Sequence, residues 1–364
     1  MKRILAATRF NTHAALKISA IALALLLALV AFPAAWVERF YTNGFYSRLQ
    51  SLITPVTNLL PFALGDLFII ALIISTPLWW IVRIKRARGK RLRETGRLAF
   101  NTATLAAIIF LGFLFLWGFN YQRQPLAARL DYDNGRLTDD ALKQFKRLTI
   151  ERADAEYAQA RTIAWPDETV WRDELHQSFG ETLALLGHTR NIARARPKTS
   201  IFDFYLGSAG IAGLVNPFGL EVILDSETIF FEKPFTLAHE WAHLAGYANE
   251  SEASFVGALA CIRSQSAALR YSGWLALYQH APWPATDEND KPPRPSEGVV
   301  ADIRAISERL NQRISPAISR AQWEMYDKFL KANRVREGTR SYGLLVDLLV
   351  GTRFEDGWIP APRK

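Results

Sequence analysis

FTLAHEWAHLAGYANESEASFVGALAC, residues 235–261, is the stretch from which the fold and the chemistry of this 364-residue chain are read. His239 and His243 stand four apart, so on a helix they share one face and can both meet a single metal ion. Neutral imidazoles suit Zn2+. Glu240, next to the first histidine, has the place of a general base that takes a proton from a zinc-activated water as it attacks a carbonyl. Thr236 offers an N-cap before the motif and Gly246 a helix end after it. A second helix is expected to start near Asn249, with acids at its head and the apolar run EASFVGALAC behind them.

A catalytic zinc needs a third protein ligand and an open fourth position. Asn249, Glu250 and Glu252 are the candidates. The spacing HEWAHLAGYAN follows the metzincin frame HExxHxxGxxH as far as Gly246 but holds Asn249 where a histidine would stand, and Asn is a poor zinc ligand. Glu252 is the preferred third ligand. Glu250 is the alternative, as a ligand or as an acid holding an imidazole N–H.

Outward from this stretch, the sequence predicts a mostly helical domain over 121–364 with a small β hairpin. DDALKQFKRLTIERADAEYAQAR (139–161) follows a helix-start signal at Thr138, and a second helix is expected over about 168–186. SIFDFYLGSAGIAGLVNPFGLEVILDS (200–226), rich in Gly and β-branched residues, is expected to hold two short strands. Helices are predicted over about 267–279, 299–313, 317–333 and 341–352, and the Pro-rich run 281–298 is expected to be a loop.

Three stretches of residues 1–120 are long and apolar enough to cross a bilayer: about 18–36, 62–82 and 98–119. RIKRARGKRLRETGR (83–97) carries eight basic residues and one acid, which places that turn on the cytoplasmic side together with the basic N-terminus (Lys2, Arg3, Arg9, Lys17). The expectation is a bacterial inner-membrane protein with three spans in residues 1–120, a cytoplasmic N-terminus and an extracytoplasmic domain over 121–364. Asp66, near the outer end of the second span, is expected to reach water.

The net charge of +9 invites a nucleic-acid reading, but its distribution argues against one. Residues 1–120 hold 14 of the 44 basic residues and three of the 35 acids, which leaves the rest of the chain near neutral. No nucleic-acid partner is expected. One cysteine, Cys261, rules out an internal disulfide and a zinc site built on several cysteines. His176 reads as a surface residue, and His188 and His280 as cations at helix ends. Tyr342 and Arg340 are candidates for donating to an oxyanion. Tyr247 lies too close to the helix turn for that role.

PFALGDLF (61–68), WGFNYQRQPL (117–126), HEWAH with ESEASF (250–255), and MYDKFLKANRVREGTRSYG (325–343) together resemble an uncharacterised bacterial family of three-pass membrane proteins with a C-terminal HExxH domain, described only as a domain of unknown function. That family reads HELAH and EANF, so Trp241 and Ser254 depart from it. The resemblance implies a zinc-dependent peptidase without naming a substrate, and its EAxF element, similar to the third-ligand segment of other HExxH peptidases, favours Glu252. The functional expectation is a zincin-like metallopeptidase acting on peptides or proteins at the outer face of the bilayer. The alternative is a zinc-binding sensory or interaction module without turnover.

Overall fold

The computed structural model describes residues 2–162, 164–286 and 290–363, with side chains from Thr12 onward. The side chains of Lys2, Arg3 and Arg9, and residues 287–289 of the Pro-rich loop, lie outside the described residues.

The chain is mainly helical, with a small two-stranded hairpin and three apolar helices in its first third. Those three helices run Lys2–Leu29, Leu64–Arg86 and Arg91–Leu116. Each is long and apolar enough to cross a membrane, over Thr12–Leu29, Leu64–Arg86 and Arg91–Leu116. The boundaries differ from those expected. The first helix stops at Leu29 because Pro33 follows and heads a new turn, Ala34–Trp36. The basic segment 83–97 is mostly helical, with only a tight turn at Gly89.

The stretch between the first two apolar helices is not a loop. A π-helical run, Val37–Tyr46, passes into Ser47–Asn58. Val37, Tyr41 and Tyr46 from it are buried in the same apolar core as Trp171, Phe179, Trp241 and Phe255. The division at residue 120 therefore follows the apolar helices but not the packing, because residues on both sides build one core.

Beyond the apolar helices come Asp139–Thr162 and Glu168–Leu185, close to expectation. In the Gly-rich stretch a short helix, Asp203–Ala209, precedes the hairpin of β1 (Gly213–Asn216) and β2 (Glu221–Leu224). The strands pair antiparallel from Gly213 with Leu224 to Asn216 with Glu221, and Lys198 lies parallel to β2 on its other side. Lys233–Leu244 carries HEWAH, and Glu250–Ile262, Ala267–His280, Glu297–Arg313 and Pro316–Ala332 follow. A 3-10 run, Gly338–Leu344, leads into Leu345–Gly351, and two short strands, β3 (Phe354–Glu355) and β4 (Ile359–Pro360), close the chain.

Every residue of Glu250–Ile262 is buried. Such a helix shows no amphipathic stripe because it is surrounded on all sides. It crosses the HEWAH helix closely: a Cβ on Gly257 would lie 2.9 Å from the backbone nitrogen of His239.

The ends of the apolar helices nearest the HEWAH helix are tied to the rest of the chain by polar contacts. Asp66 does not reach water. It is buried and accepts from Ser200 Oγ at 2.7 Å and Ile201 N at 2.8 Å. Glu221 accepts from Leu64 N and Gly65 N at the head of the second apolar helix, where an acid complements the helix dipole, and pairs with buried Lys198. Arg334 donates to the carbonyls of Ala28, Leu29 and Val30 at the end of the first.

Candidate metal centre

The HEWAH helix starts one turn earlier than Thr236. Glu232 is its N-cap, Pro234 lies in its first turn, and the Thr236 hydroxyl bonds back to the Glu232 carbonyl. It ends as expected at Gly246, whose φ of 88° suits glycine. Tyr247 N donates to Ala242 O and Gly246 N to His243 O, the two bonds of a Schellman turn. Asn249 then caps the next helix, its side chain accepting from Ser251 N at 2.9 Å. This explains why an Asn stands where the metzincin frame has a ligand.

One turn and a cap thus set which acid faces the histidines, and that acid is Glu250. Its Oε2 lies 3.2 Å from His239 Nε2 and 3.3 Å from His243 Nε2, and the two Nε2 atoms are 3.1 Å apart. Glu252, two residues on, is rotated by roughly 200° about the helix axis and points to the other side. There its Oε1 accepts from Leu126 N at 2.7 Å. The expectation that Glu252 closes the set is corrected on this geometry: His239, His243 and Glu250 are the three groups brought together.

The imidazoles are held from behind. His243 Nδ1 donates to Tyr247 O at 2.7 Å, and His239 Nδ1 faces Ser254 Oγ at 3.0 Å. With Nδ1 protonated, each neutral ring turns a bare Nε2 lone pair toward the other and toward a carboxylate oxygen that makes no hydrogen bond. Three such lone pairs at this separation repel unless a cation sits among them. Ligand atoms 2.0–2.2 Å from a tetrahedral ion lie about 3.3 Å from one another, so the triangle has the edge length that a zinc site requires.

The charges agree. Burial alone would push the Glu250 carboxyl up, but the facing His243 and His239 rings hold it well below the usual carboxylate range. Burial disfavours charge on His243, and Glu250 outweighs it, so with no cation between them the ring is pushed up to about 9 and a proton takes the place that a metal ion would fill. The pocket between these groups favours positive charge.

Tyr326 donates its hydroxyl to Glu250 Oε1, leaving Oε2 for the centre. Trp117 donates to His243 O at 3.0 Å. Glu240 is buried, and its Oε2 has no hydrogen-bond partner among the described residues. Burial pushes its carboxyl up to about 8, opposed by His243 and reinforced by Glu250. All four side chains line one cavity of about 530 Å³. Strand β1, the aromatic residues Phe113 and Trp117, and Trp323, Tyr326 and Phe329 complete much of its wall. Tyr342 lies in the wall, its hydroxyl near Glu250 and Tyr326, whereas Arg340 is exposed and outside it.

The sequence matches the family described as "Protein of unknown function (DUF3810)" over residues 41–350. The chain belongs to that family. No curated protein and no solved structure matches it. In this DUF3810 chain three of the four quoted stretches line one cavity, through His239, His243, Glu250 and Ser254, Trp117 and Tyr121, and Tyr326 and Tyr342, while Gly65 of the fourth lies against Asn216 at the end of β1.

The remaining candidates fall elsewhere. His188 is not a cation at a helix end. It is enclosed, its Nε2 2.9 Å from Tyr247 Oη, and burial together with Arg123 and Arg129 holds it well below its ordinary value. Tyr247 is buried under the Arg123 guanidinium, away from the cavity. His176 packs edge-on against Trp241, and its Nε2 is 3.0 Å from Ile192 O. His280 lines the cavity, and Cys261 is buried. Residue reasoning missed Tyr326, which sat inside a quoted stretch, and the contact that makes Ser254 a support for His239.

Proposed function

We propose that this chain is a membrane-anchored, zincin-like zinc peptidase whose metal is held by His239, His243 and Glu250 and whose general base is Glu240. The observation that carries this reading is the triangle of three lone-pair atoms, 3.1–3.3 Å on a side, beside a buried carboxylate aimed into a cavity with no bonding partner for one oxygen. Zinc bound there would act as a Lewis acid on a carbonyl and lower the pKa of water.

The chain's own residues do the rest. Glu240 takes a proton from the attacking water. The water oxygen bonds to the peptide carbon, the C–N bond breaks, and Glu240 returns the proton to the departing amine. Ser254 and the Tyr247 carbonyl hold the imidazoles in one tautomer and orientation. Tyr342 is placed to donate to the carbonyl oxygen as charge builds on it. Strand β1 pairs with β2 on one side and its residues Gly213, Leu214 and Val215 line the cavity, so its other edge is the place where an extended peptide would add main-chain hydrogen bonds.

The basic segment 83–97 sits at the end of the second and third apolar helices opposite the cavity, and the positive-inside rule supports a cavity outside the cytoplasm. In purified full-length protein, zinc and peptide cleavage should occur together. Glu240→Gln should keep the zinc and lose cleavage by a factor on the order of 10² or more. Cleavage at the native rate in that variant contradicts the assignment. Stoichiometric zinc with no cleavage of a broad peptide set by the native protein would favour the non-catalytic binding module instead.

A further inference from the structure

Strand β1 links the candidate centre to the membrane helices. It begins beside the base, since a Cβ on Gly213 would lie 2.7 Å from Glu240 Oε1. It ends at Asn216, and the turn that follows drops onto the apolar helices. The Phe218 ring is 4.7 Å from the ring of Phe68, in the second helix. A Cβ on Gly112, in the third, would be 3.8 Å from Phe218 Cε1. Gly112 lies one turn inside the end of that helix at Leu116. Gly213 and Phe218 are five residues apart, and at roughly 3.3 Å per residue the base is no more than about 16 Å from the level of the apolar helices.

The cavity wall on that side is made by the same helices. Phe113 and Trp117, at the end of the third, line it together with Trp323 and Phe329 of Pro316–Ala332. Phe113 and Phe329 meet with ring centroids 6.2 Å apart. Trp323 and Phe329 remain 37% and 40% exposed, and their neighbour Met325 is 59% exposed. An apolar rim continuous with a membrane-spanning surface suits a substrate arriving along the bilayer better than one arriving from water.

Resting on the peptidase reading, we infer that the substrate is a polypeptide anchored in the same bilayer by an apolar segment. Its first extracytoplasmic residues lie along β1, and the cut falls within about five residues of the membrane boundary, the span set by the strand. The anchor runs beside the third apolar helix and under the rim of Trp323 and Phe329. Water adds across the scissile amide as described, giving a carboxylate on one fragment and an amine on the other.

The test uses the full chain, loaded with zinc, in liposomes. One substrate carries an apolar span followed by a fixed ectodomain peptide. A second is the same peptide without the span. A third has a Gly/Ser spacer of about ten residues, up to roughly 35 Å when extended, inserted just outside the span. Sharing a bilayer raises the rate for any anchored substrate, so the position of the cut is the deciding readout. Mass spectrometry should find it within about five residues of the span in both anchored substrates, moving into the spacer in the third. A cut that stays with the original sequence, or equal cleavage of the unanchored peptide, overturns the inference and leaves the peptidase reading intact. No cleavage of any substrate overturns both. A readout independent of turnover uses Glu240→Gln: a photoreactive group in the first residues outside the span should label Leu214 or Val215, and labelling confined to other surfaces overturns the inference.

Discussion

Glu250 and Glu252 are both buried at the head of one helix, and each is matched to a different need. Glu250 meets two bare imidazole nitrogens and a tyrosine hydroxyl. Glu252 satisfies the amide of Leu126, which lies far from the histidines. Ser254, one turn on from Glu250, reaches the back of His239. Replacing it with Ala removes the partner that fixes that ring. Ser254→Ala should bind zinc about 10–100-fold more weakly, measured by competition with a chromogenic chelator, with the fold unchanged by circular dichroism. Ser254→Asn, which restores an acceptor there, should recover most of the loss. The histidines and Glu240 were legible in the sequence because their spacing alone puts them on one face. The choice of acid was not. It depends on the phase of one helix against another, which the turn at Gly246 and the cap at Asn249 set together, and no pattern of apolar residues reports that phase in a helix buried all round.

At the scale of elements, the centre depends on how closely two helices cross. Gly257 is the contact point: any larger side chain there meets the backbone of His239, which cannot move without moving the imidazole. Gly257→Val should therefore destabilise the protein by about 1–3 kcal/mol and weaken zinc binding as well. Thermal unfolding in detergent with and without zinc checks this, and a variant as stable and as tightly zinc-bound as the native chain would show that the crossing is not the constraint. The long helices were readable because their apolar spacing or their starts were marked, as in Asp139–Thr162 and Glu168–Leu185. Val37–Tyr46 was not, because a π-helical run lacks the period of 3.6 that marks a helix. The hairpin was anticipated from its glycines and β-branched residues, but the helix Asp203–Ala209 before it was hidden among the same residue types. β3 and β4, two residues each, are too short to leave a pattern.

For the whole molecule, the consequence of the fold is that the three apolar helices and the helices around HEWAH are one body. One end of each apolar helix is held, by Arg334, by Asp66 and Glu221, and by Phe113 and Trp117. The sequence marked the three helices by hydropathy, and its basic residues propose their orientation. It gave no sign that residues 37–58 belong to the same core as the HEWAH helix, because that packing is made only in three dimensions. The proposed orientation predicts that a protease site placed in the Pro-rich loop 281–298 is cut from outside in intact spheroplasts, while one placed at Gly89 is cut only after lysis. The opposite pattern would reverse the topology and remove any extracytoplasmic substrate.

The most direct test of the central claim is the zinc content of the full-length protein, purified in detergent without added chelator and measured by atomic emission. The native chain should carry one zinc per molecule. Glu252→Ala should keep it, with stability lowered by about 1–3 kcal/mol through the unpaired Leu126 amide. Glu250→Ala should lose it while remaining folded. Zinc retained by Glu250→Ala and lost by Glu252→Ala, or no zinc in the native protein even after incubation with the ion, would contradict the account.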